Sequence, residues 1–329
     1  MDKAGDIYIS TCHDVWANQA YEQWLFQNVP GGGPILFLWQ NRSAVVMGRL
    51  QNPWLECDWQ KLKAQGGQLA RRISGGGAVY HDMGNLNYTF ITGKAGYRQE
   101  QINDLLLTAL KELDIPAALS GRNDILAAGR KFSGQAFAFN RENALHHGTL
   151  LIHGDFDKMN AYLHPRPQKL QAKGIASVRA RVVNLRELQP SLSVEQAKAA
   201  LIRAFAAAYP GGEIRAVDTR SEIPAESYRR FSSWEWIFGQ APPFESQLEQ
   251  GFPWGNLQMY LQPRQGLIRQ AQLYSDALDA DFIEGIAAAL QGVAYRSRDM
   301  AEAVARQADS GPRKQMAEQI AAWLAELSL

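Results

Sequence analysis

At 329 residues the chain is long enough for two domains, and its hydrophobic fraction of 46% can build ordinary cores without low-complexity bulk. Lys and Arg (34) balance Asp and Glu (33) to leave a formal charge of +1. Binding a polyanion needs a concentrated basic surface, so no nucleic-acid partner is expected and any anion site must be local.

Cys12 and Cys57 form no CxxC pattern, which argues against a disulfide framework or a structural zinc site and fits a reducing compartment. The opening residues lack a signal-peptide apolar core, and no apolar run approaches the roughly 20 residues that span a bilayer. A cytoplasmic protein with no membrane contact is expected.

In chain order, Trp16, Ala20, Leu25 and Phe26 fall at near-helical spacing after a possible Asp14 cap. Ile35–Gln40 and Ala44–Gly48, separated by Asn41, Arg42 and Ser43, read as a hairpin. Trp54–Ala64 follows Asn52-Pro53 as a helix. QLARRI, AVYH and NYTFIT then read as strands interrupted by glycine, and Gln99–Leu113 as an amphipathic helix. DILAAGRKFSGQAFAF predicts two strands joined near Ala128–Gly129; ALHHGTLLIH is another strand, and Val194–Tyr209 an Ala-rich helix. Two prolines make Gln240–Phe244 the best linker candidate. Beyond it, Asn256–Gln262 and Gly266–Ser275 predict a strand pair. Phe282–Gln291, Asp299–Ala308 and Arg313–Leu327 predict helices, together a small α+β domain.

Four segments carry chemistry. In Arg71-Arg72-Ile73-Ser74-Gly75-Gly76-Gly77-Ala78-Val79-Tyr80-His81-Asp82, three glycines reach unusual backbone angles and let a ligand approach the main chain. Their N–H groups can form a concave anion site, and the arginines add fixed charge. A glycine-rich hairpin with solvated arginines is the plainer reading of these residues taken alone. The segment is neither a P-loop nor a dinucleotide fingerprint, because it lacks GxxxxGK[ST] and a strand-like run follows the glycines. In the second segment, Asn123-Asp124 and Gly129-Arg130-Lys131, Asp124 could hold magnesium and Lys131 could meet an anion as a point charge. An ordinary turn pair and a solvated lysine are the plain alternatives. In the third, His146 and His147 of Leu145–Leu151 point to opposite faces of a strand, so they cannot simply share a metal. None of the six histidines shows HExxH spacing. The fourth, Lys173–Leu185, is basic and glycine-hinged, a mobile loop over an anion or a solvated linker.

Together these segments resemble the lipoate–protein ligase A family. The likeness begins at Asn18-Gln19-Ala20-Tyr21-Glu22 and continues through Arg71–Ile91, Ser120–Ile125, Gly129–Ala136, His146–Leu151, Lys173–Leu185 and Ser232–Phe244, in order. It implies an α/β (α+β) fold. A large catalytic domain, residues 1–244, would carry a mixed β-sheet flanked by helices, as in biotin ligases; residues 245–329 would form a small α+β C-terminal accessory domain. It implies that Arg71, Arg72, Ser74, Gly75, Gly76, Gly77, Ala78, Val79 and Tyr80 line the lipoate and ATP pocket, with His81 beside it. Tyr80 and Asn85 would lie near the adenine, and Asn123 with Asp124 near the phosphates and Mg2+. Lys131 matches the essential lysine that contacts the acyl carbonyl and the α-phosphate. Ser133, Gly134, His147, Gly148 and Thr149 would form the opposite wall. Lys173, Gly174, Ser177, Val178 and Arg181 would belong to an adenylate-binding loop that keeps water from the mixed anhydride. The implied partners are lipoic acid and apo lipoyl domains, both of 2-oxoacid dehydrogenase complexes and of the glycine cleavage H protein, served by a monomer.

Three other readings compete. An octanoyl or lipoyl transferase of the same superfamily needs a nucleophilic cysteine, but Cys12 precedes the first helix and Cys57 falls in a predicted surface helix. A biotin ligase should carry a different arginine- and glycine-rich loop. A lipoate-binding protein without turnover has no need of Lys131 and Asp124.

Overall fold

The run Ile35–Trp39 (β2) is buried at all five positions, because both its faces are covered. Leu36 and Leu38 pack on one side with Tyr88, Phe90, Leu106, Leu201 and Phe205. Ile35, Phe37 and Trp39 pack on the other with Ala17, Tyr21, Leu25 and Phe231. The period-2 alternation of a strand serves two cores here, so no residue of the run is polar. The structure is a computed structural model that describes residues 4–29, 33–121, 123–163, 182–238, 246–307 and 310–327.

The described residues form two compact units. In the first, β2 lies inside an eight-stranded sheet. Its other members are β1 (Asp6–Ser10), β6 (Asn85–Gly93), β7 (Ala117–Ser120), β8 (Asp124–Ala127), β9 (Arg130–Phe139), β10 (Asn143–Leu151) and β11 (Ile214–Val217). The order is β11-β1-β2-β6-β10-β9-β8-β7. β1 is parallel to both β11 and β2, while β2–β6 and the pairings from β6 to β7 are antiparallel. Helices Gln99–Glu112 and Val194–Ala208 cover one face, and helix Val15–Asn28, capped by Asp14, covers the other. The expected mixed sheet flanked by helices is therefore present.

The expected hairpin between Ile35–Gln40 and Ala44–Gly48 does not form. Ala44–Met47 (β3) leaves the large sheet for a small one, between Gln68–Arg71 (β4, parallel) and Val79–His81 (β5, antiparallel). The connection carries Asn41, whose side chain is buried and hydrogen-bonded into the unit rather than presented at a turn. The helix expected over Trp54–Ala64 is broken into Pro53–Glu56 and Trp59–Ala64. Asp58 caps the second piece through the Lys61 N–H, and Cys57, expected on a surface helix, is buried between the two.

The second unit comprises Phe238–Leu329 together with two short segments from far earlier in the chain, Gly48–Asn52 and Ser74–Gly77. Its sheet is a meander of β12 (Ser246–Phe252), β13 (Gly255–Arg264) and β14 (Leu267–Ser275); the sequence located the last two of these strands. Helices Ala280–Leu290, Ser297–Ala305 and Gly311–Glu326 cover it around Leu257, Met259, Ile283, Ile286 and Ile320. Leu50 packs on this core, and its carbonyl accepts from the Ser275 N–H at 2.7 Å. Arg49 pairs with Asp281 at 2.7 Å and Glu284 at 2.6 Å. The Gly76 N–H donates to the Ala277 carbonyl at 3.0 Å. At Gly75 a Cβ would collide with the carbonyls of Ala277 and Leu278, so close backbone approach demands the glycine. The linker candidate Gln240–Phe244 lies outside the described residues.

Candidate active site

The β8–β9 hairpin turns at Ala128 and Gly129, at φ of 49° and 72°. Two successive left-handed residues are the signature of the tight turn whose twist suits a hairpin. Farther from the turn, the register slips by one residue between Ile125 and Leu126, so that Phe132 is the extra residue on β9. Lys131 and Asp124 meet across this irregular ladder, with Nζ 2.7 Å from Oδ1. Their side chains are 33% and 22% exposed, neither sealed in nor free in solvent.

Glycine makes room for that ammonium. A Cβ on Gly134 would lie 2.9 Å from Lys131 Nζ and 3.0 Å from its Cε. On neighbouring β10, a Cβ on Gly148 would strike the Tyr88 hydroxyl and approach the Gly134 carbonyl to 2.8 Å. The bare Gly148 lets Tyr88 reach Ser133 Oγ at 3.4 Å, and Thr149 Oγ1 accepts from the Gly134 N–H at 3.3 Å. Burial pushes the Tyr88 phenol up to about 12, so it remains a neutral hydroxyl. Gly134 thus faces the Lys131 ammonium, whereas Ser133 and Gly148 face Tyr88 on the other side of the sheet. Asn123 stands at the same end of the hairpin, but its Nδ2 donates to the Gln135 carbonyl at 2.8 Å and so helps to hold the two strands together. Val183 N–H donates to the Lys131 carbonyl at 2.9 Å, bringing the described end of Lys173–Leu185 alongside the lysine. Lys173, Gly174, Ser177, Val178 and Arg181 lie outside the described residues.

A second group of polar residues sits deeper, between helix Val15–Asn28 and the sheet. Glu22 is fully buried; its Oε1 accepts from Thr89 Oγ1 at 2.6 Å and lies 2.8 Å from His147 Nδ1. Trp39 Nε1 donates to the same threonine at 3.1 Å. Arg72 is buried too, and its guanidinium donates to the Val46 carbonyl at 3.1 Å. Burial pulls the Arg72 guanidinium down to about 10 while Glu22 opposes that shift, so the arginine stays charged at neutral pH. Burial, then the neighbouring Arg72 and His147, push His81 down to about 3 and keep it neutral.

The remaining expected residues are distributed more widely. Arg71 donates from Nε to the carbonyls of Trp236 and Ile237, at 3.0 and 3.1 Å, and the Trp236 indole donates back to the Arg71 carbonyl. That guanidinium anchors the Trp234–Ile237 helix. Tyr80 packs on Tyr162, with centroids 5.5 Å apart, and its hydroxyl lies 3.3 Å from Ser43 Oγ. Val79 precedes it on β5. Asn85 donates to Asn87 Oδ1 at 3.0 Å. Ser74, Gly75, Gly76 and Gly77 belong to the second unit, whereas Ala78 belongs to the first. His146 points away from His147 and stacks edge-on against Phe137 at 4.6 Å, as a core histidine.

Sequence reading assigned no role to Glu22, Trp39, Tyr88 or Thr89. One signal was available: Asn18, Glu22, Leu25 and Phe26 share a helical face, and polar residues on an apolar face need buried partners. Among the described residues no group of three or more His, Cys, Asp or Glu could hold a metal. Asp124 alone suits only a magnesium ion carried in by phosphate oxygens. No helix among the described residues is long and apolar enough to cross a membrane.

Comparison with known proteins places the chain in a family. Residues 14–206 match the lipoyl protein ligase A/B catalytic domain and residues 241–324 the bacterial lipoate protein ligase C-terminus. A crystal structure of P. falciparum LipL1 in complex with lipoate is 27% identical, with a TM-score of 0.87 over 98% of this chain and 100% of that one. A lipoate-protein ligase A bound with ATP is 26% identical, with a TM-score of 0.62 over 73% of this chain and 99% of its own. The bi-partite lipoate protein ligase of Thermoplasma acidophilum, studied with its E2 lipoyl domain, is 26% identical with a TM-score of 0.63, over 75% of this chain and 100% of that one. With its catalytic half matched by the family's own description, the chain belongs to the lipoyl protein ligase A/B catalytic domain family.

Proposed function

We propose that this protein is an ATP-dependent lipoate–protein ligase that forms lipoyl-AMP and pyrophosphate, then transfers the lipoyl group to a lysine of an apo lipoyl domain. The observation that carries this reading is the Lys131 ammonium, held by Asp124 at 2.7 Å over the glycine at 134. A free carboxylate resists attack by an amine because its leaving group would be oxide. Adenylation replaces that group with AMP. For the carboxylate oxygen to attack the α-phosphorus, two anions must approach, and a lysine between them offsets the repulsion. Lys131 exchanges Asp124 for the substrate oxygens in this step. Asp124 is then free to accompany the magnesium that arrives with ATP, which neutralises phosphate charge. In the second step the acceptor amine attacks the acyl carbonyl, Lys131 supports the oxyanion, and AMP departs.

A thioester transferase is disfavoured: Cys57 is buried, which pushes its thiol up to about 12, and Cys12 precedes helix Val15–Asn28, outside the strands that carry Lys131 and Thr149. Among lipoyl proteins, the lipoyl domains of 2-oxoacid dehydrogenase complexes and the glycine cleavage H protein are the proposed acceptors, met in the cytoplasm. The test is to incubate the purified protein with lipoate, α-labelled ATP and an apo lipoyl domain. The expected result is AMP formation together with acceptor modification. Modification that proceeds without ATP but requires an acyl-carrier donor would replace the ligase by a transferase.

A further inference from the structure

A chain of buried amides runs from the start of helix Val15–Asn28 to His81. Asn18 is fully buried, and its Nδ2 faces three acceptors: Cys12 O at 3.1 Å, Gln40 O at 3.0 Å and Asn41 Oδ1 at 3.0 Å. Its Oδ1 receives the Thr219 hydroxyl at 2.9 Å and the Ser10 hydroxyl at 2.7 Å. Turning this amide over would set its oxygen against two backbone carbonyls, so only one orientation is tenable. Asn41 is thereby oriented as well, with its oxygen toward Asn18 and its Nδ2 toward His81 Nδ1 at 2.9 Å. An amide nitrogen only donates, so His81 Nδ1 must accept. The proton of the neutral ring then sits on Nε2.

That Nε2 is buried and has no hydrogen-bond partner among the described residues. The Trp39 ring lies edge-on to the imidazole with centroids 6.0 Å apart, and the neighbouring Arg72 and His147 oppose protonation of the ring. A buried donor left unmet is destabilising. His146 Nε2 is unmet too, but it lies among the rings of Phe137 and Tyr97, whereas His81 follows the glycine run and neighbours Arg72 and His147. We infer that Asn41, itself held by Asn18, is a positioning residue that fixes His81 as the Nε2–H tautomer, so that this N–H donates to a lone-pair acceptor of the bound acid. The inference rests on the ligase reading and adds two residues to which neither the family likeness nor the sequence motifs assign a role. Loss of this donor weakens acid binding and leaves ATP binding alone.

The tautomer is read on the wild-type protein by long-range proton–nitrogen NMR with nitrogen-labelled histidine, the His81 signals being assigned with His81→Ala. Nδ1 is expected in the unprotonated range and Nε2 in the protonated range; the reverse pattern overturns the inference. Lipoate alone should move the Nε2–H signal and ATP alone should not. Movement with ATP only, or with neither, overturns it. Asn41→Asp replaces the donor by an acceptor and should reverse the tautomer. It should also raise the KM for lipoate about tenfold, the loss of one hydrogen bond, with the KM for ATP unchanged. Combined with His81→Ala it should add nothing further, and additive losses would count against the inference. If Asn41→Asp does not fold, the wild-type tautomer and the two ligand arms decide. Lipoyl transfer in the same preparation keeps the two readings apart. Transfer with an unmoved His81 signal overturns the inference alone, whereas absence of both lipoate binding and transfer overturns both.

Discussion

Lys131 is defined as much by what its neighbours lack as by its own charge. Gly134→Ala places a methyl group 2.9 Å from Nζ, against the mobile end of a flexible side chain. Little stability should be lost, but the ammonium must move, and adenylate formation should fall about 10- to 100-fold, the range for about 1.4–2.7 kcal/mol of misplaced electrostatic support. Pyrophosphate release alongside a thermal melt checks this, and a variant melting far below wild type would show the glycine to be structural instead. Gly148→Ala behaves differently, because its methyl meets a buried phenol and a backbone carbonyl that cannot yield. That overpacking should cost about 1–3 kcal/mol of stability, read as a lower denaturant midpoint. Lys131→Arg should not rescue adenylation, since a planar fork cannot occupy a space cut for a point charge. Single-turnover AMP formation is the measurement, and retention of more than a tenth of wild-type rate would contradict it.

Two connections, one bearing glycine and one without, show what local sequence can reveal about an element. Ala-Ala-Gly-Arg between strands of small and apolar residues reads as a hairpin, and the hairpin forms, because the turn's own chemistry determines it. Asn-Arg-Ser between ILFLW and AVVM also reads as a hairpin, and none forms. There the outcome is decided by two cores that both need ILFLW and by partners for AVVM found more than twenty residues on, facts of tertiary packing. The same division runs through the site. Lys131 stood out beside its turn, and Gly134, Gly148 and Thr149 were named through the family resemblance, on strands that lie side by side. Glu22, Trp39 and Asn41 were not, because their roles come from burial against strands distant in sequence. Ala128 itself carries a small penalty, holding a left-handed conformation that Asn or Gly adopts more easily. Ala128→Asn should therefore stabilise the hairpin by about 0.5–1 kcal/mol, visible as a higher melting temperature with activity retained.

For the molecule as a whole, two buried histidines link stability to acidity. His81 and His146 are each pushed down to about 3, first by burial and then by neighbouring charge. Between the ordinary imidazole value near 6.5 and about 3, the native state holds fewer protons than the unfolded chain. Stability is thus fully present above pH ~6.5 and drains away as the pH falls, at up to about 1.4 kcal/mol per pH unit for each histidine. Urea midpoints taken from pH 7 down to pH 4 should decline, and His146→Phe should flatten the decline. A midpoint indifferent to pH would mean that both rings protonate without opening the fold.

The C-terminal body is not a continuous stretch of gene. Leu50, Arg49 and the glycine turn at 74–77 complete it from positions more than 150 residues upstream. Expressing residues 238–329 by themselves would thus yield a body with a bare apolar spot and two acidic side chains stripped of their arginine. Hydrogen exchange at Ser275 would be quicker in that fragment than in the intact protein. Supplying peptides that span 48–52 and 74–77 in trans, rather than moving the cut site, is the way to make it whole.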